Sequence, residues 1–476
     1  MTAGHTTDEP IPTTPTIAEA AGKATRFTDY NLPDAGIRPL FTTESVWQAW
    51  LDVEAALARA QAKIGIVPAE QAAIIEDAAR LSRMDTQRVR RALAEQEHPL
   101  MPLISELVRV AGDEAGGYVH WGATSQNVMQ TGHALLLKRA HAIVSRLHAD
   151  VVAIVADLAE DNADVLMAGR THGQHAVPIT FGFKAAGWLD ELVRAHQRNN
   201  LAIQACLTVM MGGAVGTFAA LGEPGPHVQE LIAEDLGLDP MPVPSRALLD
   251  PFAGYVSALA VASATAARIC ADVATLMQTE FGELSEPVPD GSVGSSTMPH
   301  KRNPKLTYDV FQLSAEIRAL APAAVEALVR PSEADGAATA LMTDVLERSL
   351  IAMGDLLVRL RRILGGLEIF PDRMRDNVRL TAGLISSEAI MIALAEFVGR
   401  DHAHAIVYDN ATQAALAGRD FLDLLGRDPR VSDQLDTARL RQLLDPAAHT
   451  GLASTIARDT AWRARQYLSA RTTTPA

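Results

Sequence analysis

Three short stretches combine residue types that a hydrophobic core has little use for. They are VHWGATSQN at 119–127, GRTHGQHAVPITFG at 169–182 and GSVGSSTMPHKRNP at 291–304. Each sets hydroxyl, imidazole, amide or cationic side chains among glycines and other small residues. Each also lies at or near the end of a long apolar segment. Small residues let a ligand approach the backbone, and helix starts present unpaired N–H groups. Such donors, joined by side-chain donors, can hold an anion. Taken singly, each stretch also has a structural reading. The Thr-Ser pair would cap a helix, the histidine beside Thr171 would be satisfied in place, and the Gly/Ser loop with Lys-Arg would be solvated surface. Three such stretches in one chain favour a shared task, the binding and stabilisation of negative charge.

The elements that must position them are helices. Ala and Leu are abundant while aromatics make up 5% of the chain, which favours helix over sheet. ESVWQAWLDVEAALARAQAKIGIVP (44–68) repeats apolar residues at helical spacing and closes at Gly65 and Pro68. PAEQAAIIEDAARL and the segment after it read as further helices, interrupted at His98-Pro99. Long apolar helices follow around 128–166, 181–211, 226–237, 250–283 and 305–328, with few strand-like alternations. Such helices joined by short connections suggest a bundle. Helices apolar around most of their circumference need further partners, so an oligomer is expected. A third, smaller helical part begins near GGLEIFPDRMRDN (365–377).

The whole-chain numbers bound the function. At 476 residues the chain exceeds one compact core, and its 48% hydrophobic and 21% charged content is that of a globular protein. A net charge of −15 argues against a nucleic-acid partner, though a cationic pocket can still hold an anionic substrate. Cys206 and Cys270 have no metal-ligand spacing, so a reducing cytoplasmic setting is expected, with no metal and no cofactor. No apolar run suggests a membrane span. The N-terminal stretch lacks the pattern of a signal peptide and reads as a disordered leader.

GSSTMPHKRNP (294–304) resembles the signature of the fumarase/aspartase superfamily of lyases. HWGATSQNVMQT and GRTHGQHAVPITFGFKAAGW resemble the other two motif regions of that superfamily, in the branch containing adenylosuccinate lyase and 3-carboxy-cis,cis-muconate cycloisomerase. LDVEAALARAQAKIGIVP and MGGAVGTFAAL add a cycloisomerase-like cast, and the resemblance spans about residues 36–466. It implies an all-α, three-domain subunit whose central long-helix bundle forms a tetramer core, with each active site shared by three subunits. The expected division is a leader at 1–24, an N-terminal helical domain at 25–115, a central bundle at 116–365 with the signature loop at 288–304, and a C-terminal helical domain at 366–476. By motif position the resemblance assigns Ser295 as base, His172 as general acid and His120 as its assistant. Lys301 and Asn303 would bind the carboxylate that takes up charge, and Met298 would shape the loop. Thr124 and Ser125 would bind a carboxylate, Thr171 and Gln174 would hold substrate, and Arg38 would lie near it. The fixed donors suit this chemistry because proton loss beside a carboxylate builds charge on a group already charged.

Three departures narrow the expectation. Asn127 stands where relatives carry Asp, a neutral amide that donates as well as accepts and could face an additional anionic or nitro-like group. His172 is present after Arg-Thr, which favours elimination over lactonisation. Glu333-Ala334 replaces a Glu-Arg pair, which argues against a phosphate or a tricarboxylate. The expected reaction is therefore β-elimination from a small substituted succinate to fumarate, with an amine or nitrite as leaving group. The cycloisomerase and adenylosuccinate lyase reactions are the alternatives, and a structural role like that of the crystallins is a non-enzymatic one.

Overall fold

The computed structural model describes residues 14–288, 291 and 293–472. Its helices in chain order are α1 (Ile17–Ala21), α2 (Thr43–Lys63), α3 (Ala69–Ala78), α4 (Thr86–Gln96), α5 (Met101–Gly116), α6 (Ser125–Asp161) and α7 (Phe181–Gln204). They continue with α8 (Gly225–Leu236), α9 (Asp250–Leu276), α10 (Lys305–Glu326), α11 (Gly336–Gly365), α12 (Pro371–Arg379), α13 (Ser387–Val398) and α14 (Arg400–Ala417). Short helices and the longer Ala453–Thr472 complete the chain. The all-α expectation holds.

Packing divides the chain into two compact units. One comprises Met1–Leu147, Ala195–Ala264 and Gln312–Val358, the other His148–Arg194, Thr265–Phe311 and Arg359–Ala476. All the internal boundaries fall inside long helices, α6, α7, α9, α10 and α11. Within the stretch expected as a leader, α1 is folded, with Ile17 and Ala18 buried and Thr16 closing a capping box with Glu19. Residues 1–13 of that stretch lie outside the described residues. Asp335 starts α11, its carboxylate accepting the Ala338 N–H at 2.7 Å.

In the first unit, α2 carries its apolar stripe (Trp47, Leu51, Leu57) into a core shared with Leu103 and Leu107 of α5, Val128 and Leu135 of α6 and Ile232 of α8. Gly132 makes the α2–α6 approach possible, because a Cβ there would stand 2.7 Å from Trp50 Cδ1. The apolar helix α9 does have the length and hydropathy of a membrane span, against expectation. Much of its apolar face is buried in the protein, with Tyr255, Val256, Leu259, Ile269, Cys270 and Val273 all buried, while Val261 is exposed.

The second unit contains a short antiparallel hairpin. Leu166–Thr171 (β1) and Gln174–Thr180 (β2) pair antiparallel, closed by Thr171 opposite Gln174. The two-residue loop between them, His172-Gly173, has φ of 52° and 77°. Positive φ at both positions is the geometry that matches strand twist in a tight hairpin. One residue before the pair that closes the turn, Arg170 makes two hydrogen bonds to Glu283, at 3.1 and 2.5 Å, and lies 5.0 Å over the Phe281 ring. Asn377 of α12 donates to the same carboxylate at 2.7 Å. Glu283 is 0% exposed, so its charge depends wholly on these partners. Glu283→Ala is therefore expected to leave Arg170 without its counter-ion and to cost about 3–5 kcal/mol. Calorimetric unfolding should show a marked loss of stability that Glu283→Gln reproduces only in part.

Candidate active site

The 117–124 turn of the first unit links α5 to α6. His120 and Gly122 both take left-handed backbone, with φ of 62° and 75°. A Cβ at 122 would also fall 2.4 Å from Leu221 Cδ2, so a larger residue would have to displace that side chain as well as strain the backbone. Gln61 braces the turn by donating to the Trp121 carbonyl at 2.8 Å. His120 Nδ1 lies 2.6 Å from Oε1 of Glu54, a carboxylate on α2 that is 2% exposed. Burial opposes the imidazolium, but the hydrogen bond and charge of Glu54 outweigh it, and the pKa of His120 is raised. With Nδ1 held by a carboxylate, Nε2 is the nitrogen left to act on another group.

Thr124 precedes the first residue of α6. Its N–H donates to Asn127 Oδ1 at 3.0 Å, and the Asn127 N–H donates to the Thr124 carbonyl at 2.8 Å. Asn127 Oδ1 also accepts the Gly213 N–H at 3.1 Å, and Asn127 Nδ2 donates to the Gly213 carbonyl at 3.4 Å. The side chain is 0% exposed. Asn127 was expected to face substrate; its amide is instead consumed by two backbone segments, pairing with Gly213 as one peptide group pairs with another. An amide does this because it both donates and accepts.

Arg38 also has a different place from the one expected. Its guanidinium binds Asp34 at 2.5 Å and both carboxylate oxygens of Asp355, with Nη1 to Oδ1 at 2.9 Å. Both aspartates are buried. Arg38 therefore ties the 34–41 segment to α11, and its charge is answered within the protein.

Ser125 has a neighbour that sequence reading passed over as a helix break. His98 Nε2 stands 3.5 Å from Ser125 Oγ. His98 Nδ1 accepts the N–H groups of Leu100 and Met101, at 3.2 and 3.0 Å, at the start of α5. An imidazole accepting at Nδ1 carries its proton on Nε2. His98 thus aims an N–H toward the Thr124–Ser125 pair. The two residues are 27 apart in sequence, and no spacing rule joins them.

In the second unit, Thr171, His172 and Gln174 occupy the hairpin tip, all exposed. His175, opposite Arg170 in register, is pushed down in pKa by burial and then by the Arg170 charge. The signature loop begins after Glu286 and ends at α10. Ser295 Oγ accepts the N–H groups of Met298 at 3.1 Å and Thr297 at 3.4 Å. Asn303 Nδ2 donates to the Gly294 carbonyl at 3.0 Å, and Lys305 Nζ donates to the Val293 carbonyl at 2.6 Å. A Cβ on Gly294 would lie 2.2 Å from the Lys301 carbonyl oxygen, so the loop's fold requires glycine there. Lys301 and Met298 are exposed. Arg302, left outside the candidate set, pairs loosely with Glu368 at 3.6 Å.

Glu286 clasps the end of this loop. Its carboxylate, 3% exposed, accepts the Leu306 and Thr307 N–H groups, each at 3.0 Å, and the Thr307 hydroxyl at 2.9 Å. Burial pushes its pKa up, although these bonds at the α10 start oppose the rise. Residues 289, 290 and 292 of the expected loop lie outside the described residues. Among the described residues, no hydrogen bond or ion pair joins the hairpin tip to the 293–304 loop. Nor does any group of three or more His, Cys, Asp or Glu side chains stand close enough to hold a metal ion.

Comparison with known proteins places this geometry in a family. Residues 29–317 match the profile of the family described as Lyase, and residues 383–460 match that of the adenylosuccinate lyase C-terminus. The chain is 37% identical to an adenylosuccinate lyase of Pyrococcus abyssi over 433 residues, 90% of this chain and 95% of that one. It is 38% identical to a 3-carboxy-cis,cis-muconate cycloisomerase of Pseudomonas aeruginosa, over 88% of this chain and 92% of the relative. A crystal structure of a fumarate lyase from Mesorhizobium sp. BNC1 superimposes with a TM-score of 0.84 at 34% identity, covering 90% of this chain and 98% of the other.

Two outcomes follow from the geometry of the first unit. Glu54→Gln should lower the pKa of His120, read by NMR titration of the imidazole. The sign is fixed by the raised folded value: the pair's contribution to stability is present below the ordinary histidine pKa and is lost as pH rises through the raised one. Asn127→Ala should cost about 1–3 kcal/mol, because the buried Gly213 N–H and the partly buried Thr124 N–H lose their acceptor. Asn127→Asp keeps that acceptor and should retain most of the stability in thermal unfolding.

Proposed function

The chain belongs to the fumarase/aspartase superfamily of lyases, and on that footing we propose that it eliminates a nitrogen-containing group from a substituted succinate to give fumarate. The leaving group is an amine or, from nitrosuccinate, nitrite. The observation that carries this reading is the setting of Ser295. Its Oγ already accepts two backbone N–H groups. Donors aimed at a hydroxyl oxygen stabilise it most when it is charged, which lowers the cost of the alkoxide. The alkoxide takes the proton from the carbon beside one carboxylate. The electron pair moves into that carboxylate as an aci-dianion, and the bond to nitrogen then breaks. Lys301, exposed on the same loop, supplies the positive charge for the dianion. Asn303 holds the loop to Gly294 and so fixes the turn that carries Ser295.

His172, at the tip of a rigid hairpin, protonates a leaving amine, with Thr171 and Gln174 beside it. His120, oriented by Glu54, assists, and Thr124 and Ser125 bind a second carboxylate with help from His98. In this reading the protein is a homotetramer and each site draws on three subunits. The sequence similarity to the cycloisomerase of Pseudomonas aeruginosa supports ring closure on a muconate as the second reading.

The test is fumarate formation, followed by ultraviolet absorbance, from nitrosuccinate and from N-substituted aspartates. Ser295→Ala should lower kcat at least about a hundredfold while leaving substrate binding measurable. Retention of most activity would remove Ser295 as the base. His172→Asn should slow amine release far more than nitrite release, since nitrite leaves without a proton.

A further inference from the structure

A cavity of about 100 Å³ in the first unit has no part in that reading. It lies between α2, α6, α9 and α11 and is walled by Phe41, Trp50 and Phe252. A single water needs roughly 10–15 Å³ measured this way, so the space suits several waters or one short organic molecule. Among the apolar residues of the wall stand the polar side chains of Gln126, Gln130, His133, Thr339, Thr343 and Glu347. Gln130 is 8% exposed, and its Oε1 is buried without a hydrogen-bond partner. His133 Nε2 is likewise buried and unpartnered, its ring 6.3 Å from that of Phe41. Glu347 has no hydrogen bond or ion pair among the described residues. Buried polar groups in folded proteins are nearly always satisfied, so two orphaned atoms in one cavity, beside the half-buried and unpaired Glu347 carboxylate, call for an occupant.

Their chemistry says which. An amide oxygen and a carboxylate only accept, and a neutral imidazole accepts at one nitrogen. Burial pushes His133 down to about 4, so it is neutral at physiological pH. Burial, and then the charge of Asp344, pushes the Glu347 carboxyl up, the mark of an anion without a counter-ion. Aromatic faces add a further attraction for positive charge. We propose that this cavity binds an organic ammonium: a protonated primary amine whose three N–H groups meet Glu347, Gln130 and His133 while its alkyl body lies against Phe41, Trp50 and Phe252. Gln126, which also lines the cavity, directly follows Ser125 on α6, so the site sits one residue from the Thr124–Ser125 pair.

The test is calorimetric titration of the full-length protein with n-butylammonium chloride, with 1-butanol as the neutral analogue. Saturable binding of one butylammonium per chain is expected, with butanol at least about tenfold weaker. Glu347→Gln should weaken butylammonium by at least about tenfold, as the loss of one charge-assisted contact implies. Ser295→Ala should bind it as well as the unaltered chain does, which separates this site from the elimination chemistry. If Glu347→Gln does not fold, Gln130→Met takes its place with a loss of about threefold or more. The proposal falls if butylammonium does not saturate, if butanol binds as tightly, or if the substituted chain binds without these losses.

Discussion

The start of a helix leaves N–H groups that must find acceptors when water is excluded, and the candidate site is built on the answers to that demand. At α10 the answer is one buried carboxylate, Glu286, which takes two backbone N–H groups and a hydroxyl. Because Glu286 precedes the signature loop and its partners follow it, the same bonds close the loop into a defined span. Inside the span, Asn303 and Lys305 hold the carbonyls of Gly294 and Val293. The Ser295 hydroxyl is left facing N–H groups of its own loop. At α6 the acceptor is Asn127, which reaches sideways to Gly213 as well. At α5 it is the ring nitrogen of His98. Three caps thus do two jobs each, finishing a helix and placing a donor or a loop.

Much of this was legible because it is local. Apolar residues at helical spacing placed the starts of α6 through α10 within three residues, but carried α7 and α9 past their observed ends at Gln204 and Leu276, to 211 and 283. The hairpin escaped because GRTHGQHAVPIT alternates weakly and lacks an Asn-Gly or Asp-Gly turn. His172-Gly173 makes the same turn through the tolerance of histidine for left-handed backbone. What sequence could not show was who answers whom across long separations. Arg38 looks like a ligand for substrate until Asp355 appears beside it, 317 residues away. Asn127 looks like a recognition residue until Gly213 takes both ends of its amide. His98 looks like punctuation until Ser125 stands next to it. Burial and pairing are properties of the fold, and local spacing does not encode them.

The chain is acidic overall, and several of its buried carboxylates are answered by a cation or a histidine: Glu283 by Arg170, Asp34 and Asp355 by Arg38, Glu54 by His120. Glu286 is answered by backbone N–H groups and a hydroxyl instead. Lys301 is a different case, exposed on a loop of glycines and hydroxyls. An exposed cation on the same loop as a serine held by N–H groups is a feature that packing does not explain.

The hairpin turn limits how position 172 can change over evolutionary time. Left-handed backbone is comfortable for glycine, asparagine, aspartate and histidine, and costly for branched side chains such as valine or threonine. A lineage drifting away from histidine therefore meets a narrow gate, and the residues that pass it easily are small or polar. Stereochemistry alone therefore favours a compact hydrophilic group at that tip, whatever reaction the surrounding residues support.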